Sequence, residues 1–168
     1  MPQKLIEEMI IEVAGIEGLK VYKILKDKEN VDEFIIAEKL KFSINQLRNL
    51  IYKFERYNLF ISTRKKDRKK GWYVYFFTFN TKEAENVVLI LKKEKIKILE
   101  AQLTREQNHE FFVCPNKDIR LTIENAMEHN FTCFECGLIL IQEDREKNIK
   151  KVEKLIAERR DELDKLEK

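Results

Sequence analysis

A chain of 168 residues is long enough for one domain or for two small ones. Hydrophobic residues make up 43% of it, which suffices for a core, and 33 basic side chains nearly balance 30 acidic ones. Three cysteines do not suit a secreted disulfide framework, and no apolar run reaches the length of about eighteen residues that a membrane-spanning helix needs. Residues 1–4 begin no signal peptide, so the sequence predicts a soluble, cytoplasmic protein.

The first part of the chain predicts helices. Apolar side chains recur at helical spacing through residues 5–28, and Gly15 and Gly18 are expected to divide this stretch into two helices. A second, shorter helical pattern covers residues 32–41.

The clearest helix start in the chain is a capping box, in which Ser43 caps the helix and Gln46 reaches back. The helix that follows is expected to run to about Tyr57. It has one apolar stripe made of Ile44, Leu47, Leu50, Ile51 and Phe54. Its opposite face carries Asn45, Arg48, Asn49, Tyr52, Lys53 and Arg56. As a recognition helix, this face could read a DNA major groove, and it could equally dock a protein.

The hydrophobic period then changes from helix to strand. Residues 59–63 predict a strand, residues 64–71 a charged hairpin loop, and residues 72–79 an aromatic return strand. Three helices followed by a β-hairpin are the order of a winged helix, in which residues 64–71 would be the wing.

The wing is predicted to contact nucleic acid through charge. Its net charge is +5, with one acid and six bases, namely Arg64, Lys65, Lys66, Arg68, Lys69 and Lys70. Basic side chains that neutralise phosphates release counterions. Trp72 and Tyr73 follow the wing, and exposed rings there could stack on unpaired bases. Strand alternation would expose one of these two rings and bury the other, so stacking and core packing both remain open.

A long helix and a small cysteine-containing region follow. Asn80 and Glu83 mark the start of a helix that is expected to end near Gln107 and to act as a rigid connector. The overall prediction is an α+β, helix-rich fold with four parts, namely a winged-helix domain (1–80), a connecting helix (81–109), a zinc-ribbon-like β domain (110–142) and a C-terminal charged helix (143–168). The last helix could be solvated or could pair with a partner.

The three cysteines have the spacing of a zinc ribbon that lacks one ligand. Cys114 begins the first pair, and Cys133 and Cys136 form the second. Lys117 stands where the other cysteine is expected, and fifteen residues separate it from Cys133. Zinc binding is therefore predicted to be weak or absent. The candidates for a fourth ligand are His109, His129 and, ranked below them, Asp118.

The order of winged helix, long helix and zinc ribbon resembles archaeal transcription factor E, the counterpart of the α subunit of eukaryotic TFIIE. The resemblance covers about residues 4–142. Its motifs are LKFSINQLRNLIYKF (40–54), GWYVYF (71–76), FVCP (112–115), ENAMEHNFTC (124–133) and CG (136–137). Lys117 departs from the family pattern, which usually has its second zinc ligand at this position.

The resemblance implies a non-enzymatic basal transcription initiation factor. Such a factor binds RNA polymerase in the promoter preinitiation complex with TBP and TFB, and it stabilises the melted DNA. In that family the winged helix sits on the polymerase clamp and the ribbon approaches the stalk. A second factor E subunit could pair with the chain.

The residues alone leave two other hypotheses open. No phosphate-binding loop, dinucleotide-binding fingerprint or nucleophile elbow is present in the sequence, so we predict no enzyme. The chain could be a sequence-specific winged-helix repressor that acts as a homodimer. It could also be a protein adaptor that makes no DNA contact.

Overall fold

The computed structural model describes residues 1–66 and 71–167, so Arg68, Lys69 and Lys70 of the predicted wing lie outside the described residues. The chain forms two compact units, Met1–Leu91 and Lys92–Lys168. It is α+β and helix-rich, as the sequence predicts, and the sheets are small and antiparallel. The finer four-part division of the chain stays a prediction. No helix within the described ranges is long and apolar enough to cross a bilayer.

The first unit combines three helices and the first part of a fourth with one sheet. Its elements are α1 (Gln3–Leu25), β1 (Val31–Asp32), α2 (Glu33–Leu40), α3 (Ile44–Glu55), β2 (Phe60–Lys66), β3 (Tyr73–Phe79) and the first part of α4 (Thr81–Asn108). The strand order is β1-β3-β2. The sequence analysis missed β1, which pairs only two residues with β3.

Two glycines in α1 behave differently. Gly15 has φ 75° and ψ −173°, so it interrupts the helix as predicted. Gly18 does not, because it lies inside helical backbone and is buried. A Cβ on Gly18 would lie 2.5 Å from Ala14 Cβ and 2.9 Å from Phe54 Cζ, so the missing side chain lets α1 approach α3. The prediction of a break at Gly18 is therefore wrong.

The capping box of α3 is confirmed. Ser43 Oγ accepts a hydrogen bond from Gln46 N, and the Gln46 side chain accepts one from Ser43 N. The apolar stripe behind it faces the core of the first unit, where the rings of Phe54 and Phe60 meet edge to face at 4.7 Å. The most deeply buried members of this core include Ile10, Val21, Leu25, Ile36, Leu47, Phe54 and Leu59.

The hairpin departs from the sequence prediction. Arg64, Lys65 and Lys66 were expected in the loop but belong to β2, where they pair with Tyr75, Val74 and Tyr73 of β3. Their long side chains are exposed, so backbone pairing continues without burying charge. The strand therefore extends three residues beyond the predicted end at Thr63.

The second unit contains the cysteines. Its elements are the rest of α4, β4 (Phe111–Val113), β5 (Arg120–Thr122), α5 (Ile123–Glu128), β6 (Ile141–Gln142) and α6 (Arg145–Glu167), and the strand order is β5-β4-β6. Outside these strands, Thr132 and Ile139 form an antiparallel β-bridge. The short helix α5 was not predicted.

Within the second unit, α6 lies antiparallel to α4. Lys92 and Lys93 near the start of this part of α4 pair with Glu162 and Glu167 near the end of α6. At the opposite end, Arg145 at the start of α6 donates to the backbone carbonyl of Glu106. Three apolar residues of α6 are buried, namely Val152, Ile156 and Leu163. This helix is therefore not fully solvated.

A charged network connects the β5-β4-β6 sheet to α4. The Glu106 carboxylate is almost fully buried and accepts hydrogen bonds of 2.9 and 2.7 Å from Arg120 of β5. Arg120 also donates to Glu143 at 2.7 Å, and its guanidinium lies 3.8 Å from the ring centroid of Phe111. A planar guanidinium satisfies two carboxylates and an aromatic face at once, which a lysine could not do.

Candidate nucleic-acid surface and candidate metal centre

The described part of the hairpin interleaves cations with aromatic rings. The Arg64 guanidinium lies 4.9 Å from the ring centroid of Tyr73, and Lys65 Nζ lies 5.2 Å from that of Phe76. Both cations remain exposed while they lie over a ring. The β2–β3 ladder fixes this pattern, because it holds Arg64 opposite Tyr75 and Lys66 opposite Tyr73.

Trp72 and Tyr73 are both exposed, at 50% and 48%. The expectation that alternation would bury one of the two rings is wrong, because Trp72 precedes β3 and the alternation begins only at Tyr73. Val74, the next residue of β3, faces inward and is 9% exposed. Trp72, Tyr73 and Tyr75 line one open concave surface together with Phe34 and Arg48, and we call this set the aromatic surface.

Arg48, a predicted recognition-helix residue, is held at the edge of the aromatic surface. It donates two hydrogen bonds, of 2.9 and 2.8 Å, to the carboxylate of Glu33, which is fully buried. The backbone N–H of Tyr75 donates to the same carboxylate, and the Arg48 guanidinium stacks 5.0 Å from the Tyr75 ring centroid. The Glu33 hydrogen bond contributes most to raising the pKa of Arg48. The charge of Arg48 is therefore already balanced within the protein.

The other predicted recognition-helix residues lie on the exposed face of α3. Asn45, Asn49 and Tyr52 are all exposed, and Tyr52 is the aromatic side chain among them. Lys53 and Arg56 line a separate groove near the end of the helix. Contact between these five residues and DNA stays a prediction.

The three cysteines meet as the spacing predicts, and Asp118 joins them. One ligand atom from each of Cys114, Cys133, Cys136 and Asp118 lies within 4.8 Å of all the others. Cys114 Sγ lies 3.3 Å from Cys136 Sγ and 3.5 Å from Asp118 Oδ2. Cys114 and Cys133 are buried, whereas Asp118 and Cys136 are exposed.

The two cysteine loops are closed by equivalent backbone hydrogen bonds, but the residue with left-handed backbone lies at a different position in each loop. Cys114 N donates to Ile119 O and Cys133 N donates to Leu138 O, so each loop spans the same number of residues. In the second loop the left-handed residue is Gly137, directly after the ligand Cys136. In the first loop Lys117 takes the left-handed backbone, with φ 63°, directly before Asp118. The first loop thus places its second donor one residue later.

The cysteines differ in acidity. Burial raises the pKa of Cys133, whereas hydrogen bonds, led by those from the backbone N–H groups of Cys136 and Glu135, lower it. The combined lowering is the larger of the two effects, so the net shift of the pKa is downward. For Cys136 the Leu138 N–H lowers the pKa, yet the hydrogen bond with Cys114 contributes to a net rise to about 12. A metal ion bound here would have to displace the proton of Cys136.

The donor set fits a tetrahedral zinc ion. A Zn–S bond of about 2.3 Å separates neighbouring ligand atoms in a tetrahedron by about 3.8 Å, which is close to the spacing seen here. The histidines that the sequence analysis ranked first are elsewhere: His129 lies beside the Phe134 ring and His109 beside the Phe111 ring. The structure therefore reverses the predicted order of fourth ligands and puts Asp118 first.

The fold is similar to that of a solved structure of a possible transcriptional regulator. A possible transcriptional regulator from Methanosarcina mazei superposes with a TM-score of 0.52 at 16% identity, covering 61% of this chain and 89% of that one. This likeness concerns the fold alone.

The particular family follows from sequence comparison. The family model described as TFIIE alpha subunit matches residues 4–108. A transcription factor E from Methanocaldococcus jannaschii is 34% identical over 161 residues, covering 95% of this chain and 93% of that one. Those from Saccharolobus solfataricus and Metallosphaera sedula are 32% and 31% identical, each over 92% or more of both chains. The chain belongs to the TFIIE alpha subunit family, as its motifs indicated. The family consists of transcription factors, which confirms the prediction that the chain is no enzyme.

Proposed function

We propose that this chain is a basal transcription initiation factor that binds RNA polymerase at the promoter and stabilises the melted state of the DNA. The observation that carries the proposal is the alternation of cations and rings on the hairpin, with Arg64 over the exposed Tyr73, Lys65 over the half-buried Phe76, and the exposed Trp72 next to Tyr73. In this proposal the first unit is a winged helix and the hairpin is its wing.

Such a surface suits unpaired DNA better than a duplex. Lysine and arginine neutralise phosphates of either form, which gives affinity without sequence preference. An exposed ring can stack only on a base that has left its own stack, and each such contact is worth about 1–3 kcal/mol. The chain would then shift the promoter toward the melted state by the difference between its affinities for the two states.

The contacts of α3 support the wing, rather than the recognition helix, as the main DNA contact. Arg48 lies near the middle of the predicted reading face, but the buried carboxylate of Glu33 already engages its guanidinium in two hydrogen bonds. To contact a base, Arg48 would have to leave Glu33 uncompensated in the core, which is costly. Lys53 and Arg56, the other cations of the predicted face, line an open groove instead, and Arg56 lies over the Tyr57 ring.

The polymerase contact is proposed from the relatives and from exposed apolar residues of the second unit. In line with the relatives named transcription factor E, the partners would be the polymerase clamp and stalk and the promoter-bound TBP and TFB, with a second subunit as a further candidate. Exposed apolar side chains in one small region suit a protein contact. Around the cysteines these are Met127, Phe134, Leu138, Ile139 and Ile141.

The direct test compares bubble DNA with fully paired DNA of the same sequence. The triple variant Arg64→Ala, Lys65→Ala, Lys66→Ala should weaken binding to the bubble and make it less salt-dependent, by up to about 2 in the log–log slope if all three contact phosphates. Fluorescence anisotropy at several salt concentrations measures both quantities. The matched control replaces three exposed lysines elsewhere in the first unit, Lys20, Lys23 and Lys39, and should keep the wild-type slope. Equal slopes in the two triple variants would refute the wing contact.

Ring stacking needs its own test. Trp72→Ala and Tyr73→Ala should weaken binding to bubble DNA more than to duplex, because only unpaired bases can stack. Equal losses of affinity for both DNAs would show that the rings affect binding only by positioning the neighbouring cations or by supporting the fold. A stable homodimer in light scattering, together with tight binding to one defined duplex, would favour the repressor hypothesis instead.

A further inference from the structure

We propose that Asp118 is the fourth ligand of a Cys3Asp metal site that binds one zinc ion per chain and exchanges it through its exposed side. The proposal concerns the metal chemistry of the second unit and is independent of the DNA-binding function. It replaces the expectation, drawn from the missing cysteine at position 117, that zinc would be held weakly or not at all.

Asp118 is the only non-cysteine donor that the described residues place within the cluster. Its Oδ2 atom lies 3.5 Å from Cys114 Sγ, which is close to the separation of about 3.6 Å expected between a thiolate sulfur and a carboxylate oxygen around tetrahedral zinc. Carboxylate oxygen is an ordinary zinc ligand at a bond length of about 2.0–2.2 Å. The set therefore has four donors of suitable type.

The backbone explains why the ligand stands at position 118 and not at 117. Both loops are closed by a hydrogen bond from the N–H of their first cysteine, to Ile119 O in one and to Leu138 O in the other. The first loop makes its left-handed turn at Lys117, with φ 63°, and Lys117 N donates to Cys114 O at 2.8 Å. The residue that follows this turn is the one that faces the sulfurs.

The burial of the four ligands separates them into two pairs. Cys114 and Cys133 are each only 1% exposed and form the floor of the site, whereas Asp118 and Cys136 are exposed at its rim. A carboxylate at the rim is a harder and weaker partner for zinc than a thiolate, and water can replace it. The ion should therefore leave and enter through the Asp118 side, faster than it would from four thiolates.

Cobalt spectroscopy of the full chain tests the ligand assignment. Wild-type protein with Co²⁺ should show the intense visible bands of tetrahedral cobalt and sulfur-to-cobalt charge transfer from three thiolates. Asp118→Cys should keep the tetrahedral bands and add charge transfer from a fourth thiolate. Asp118→Ala should lower zinc affinity, measured by competition with a chelator, by more than about 100-fold, beyond the 10–100-fold typical of an outer-shell loss.

The controls separate Asp118 from its rivals. His109→Ala, His129→Ala and Glu135→Ala, the last an acid in the other loop, should leave the cobalt spectrum and zinc affinity unchanged. A wild-type zinc affinity in Asp118→Ala, or no added thiolate band in Asp118→Cys, would overturn the assignment. A loss of the tetrahedral bands in either histidine variant would also overturn it.

The exchange step is measured as zinc release into excess chelator, followed by a zinc-sensitive dye. Asp118→Cys should release zinc at least about 10-fold more slowly than the wild type, since a thiolate replaces the exposed carboxylate. Equal release rates in the two proteins would refute exit through the Asp118 side. Failure of wild-type protein to bind Co²⁺ or Zn²⁺ would refute the site altogether, whatever the outcome of the DNA-binding experiments.

Discussion

Arg48 shows how one residue can look like a DNA contact and serve the fold. Glu33 begins α2 in a position with no exposure, and a buried carboxylate without a partner would cost several kcal/mol. Arg48 from α3 and the Tyr75 N–H from β3 satisfy it, so one carboxylate links two helices and the sheet. The side chain of Arg48 also covers the Tyr75 ring and so shapes the aromatic surface.

This arrangement predicts that Arg48→Ala destabilises the first unit. Removing the arginine leaves Glu33 buried and unpaired, which should lower the free energy of unfolding by about 3–5 kcal/mol. Chemical denaturation followed by circular dichroism measures the loss. Arg56→Ala is the matched control, because Arg56 is exposed and lies over the ring of its neighbour Tyr57. It should change stability by less than about 0.5 kcal/mol.

A second variant distinguishes a structural Arg48 from a DNA-reading one. Glu33→Gln keeps the size of the side chain and removes its charge, so Arg48 is released from its ion pair. If Arg48 contacts DNA only when free, this variant should bind DNA more tightly than the wild type at low salt. We expect no gain, and a gain of tenfold or more would assign Arg48 to the DNA surface.

At the scale of elements, the contact between α1 and α3 depends on the absence of one side chain. Gly18→Ala would place a methyl group 2.9 Å from Phe54 Cζ, and Phe54 is fully buried and cannot swing away. Overpacking of this kind usually costs about 1–3 kcal/mol, more than the gain in helix propensity. Thermal denaturation should show a clear drop in Tm.

The cause of that loss can be tested with a double mutant. Phe54→Leu shortens the ring that the new methyl group would meet, so the cost of Gly18→Ala should be smaller in that background by about 0.5 kcal/mol or more. Gly15→Ala provides a contrast, because a Cβ there meets nothing within 4 Å and only the φ of +75° is strained. Its cost should not depend on Phe54. Equal costs of Gly18→Ala in both backgrounds would show that the packing explanation fails.

The elements that periodicity and capping define were predictable, and those that depend on tertiary pairing were not. The start of α3 at Ser43 followed from local chemistry alone. The continuation of β2 through Lys66 did not, because charged residues have low strand propensity and only their pairing with β3 keeps them in the sheet. For the same reason the exposure of both Trp72 and Tyr73 depended on where the strand begins.

The candidate metal site shows the same limit. Spacing brought Cys114, Cys133 and Cys136 together correctly, since each ligand lies in or beside a short turn. The fourth donor depended on which residue adopts the left-handed backbone, and nothing in the spacing distinguishes Lys117 from its neighbours in that respect. An acid directly after the expected ligand position was the one available signal, and it ranked below the histidines because carboxylates are rarer in structural zinc sites.

On the scale of the whole molecule, the two compact units contain different residues whose state can be followed experimentally. Trp72 is the only tryptophan of the chain and lies in the first unit, whereas all three cysteines lie in the second. Among the described residues, the buried apolar cluster around the cysteines consists of Cys114, Ala126, Cys133 and Leu140, with four half-buried hydrophobic side chains packed against it. A region this small usually needs a metal or a disulfide to stay folded, so a bound ion would contribute much of its stability.

Metal removal should therefore loosen the second unit and spare the first. After dialysis against a strong chelator, hydrogen exchange at β4 and α5 should become faster, because the ion no longer ties Cys114 to Cys133 and Cys136. The emission maximum of Trp72 should stay where it is in the metal-loaded protein, and Asp118→Ala without chelator should reproduce the same pair of results. A shift of the Trp72 emission would contradict independent stability of the two units. Unchanged exchange at β4 would show that the apolar cluster holds the cysteine region without metal.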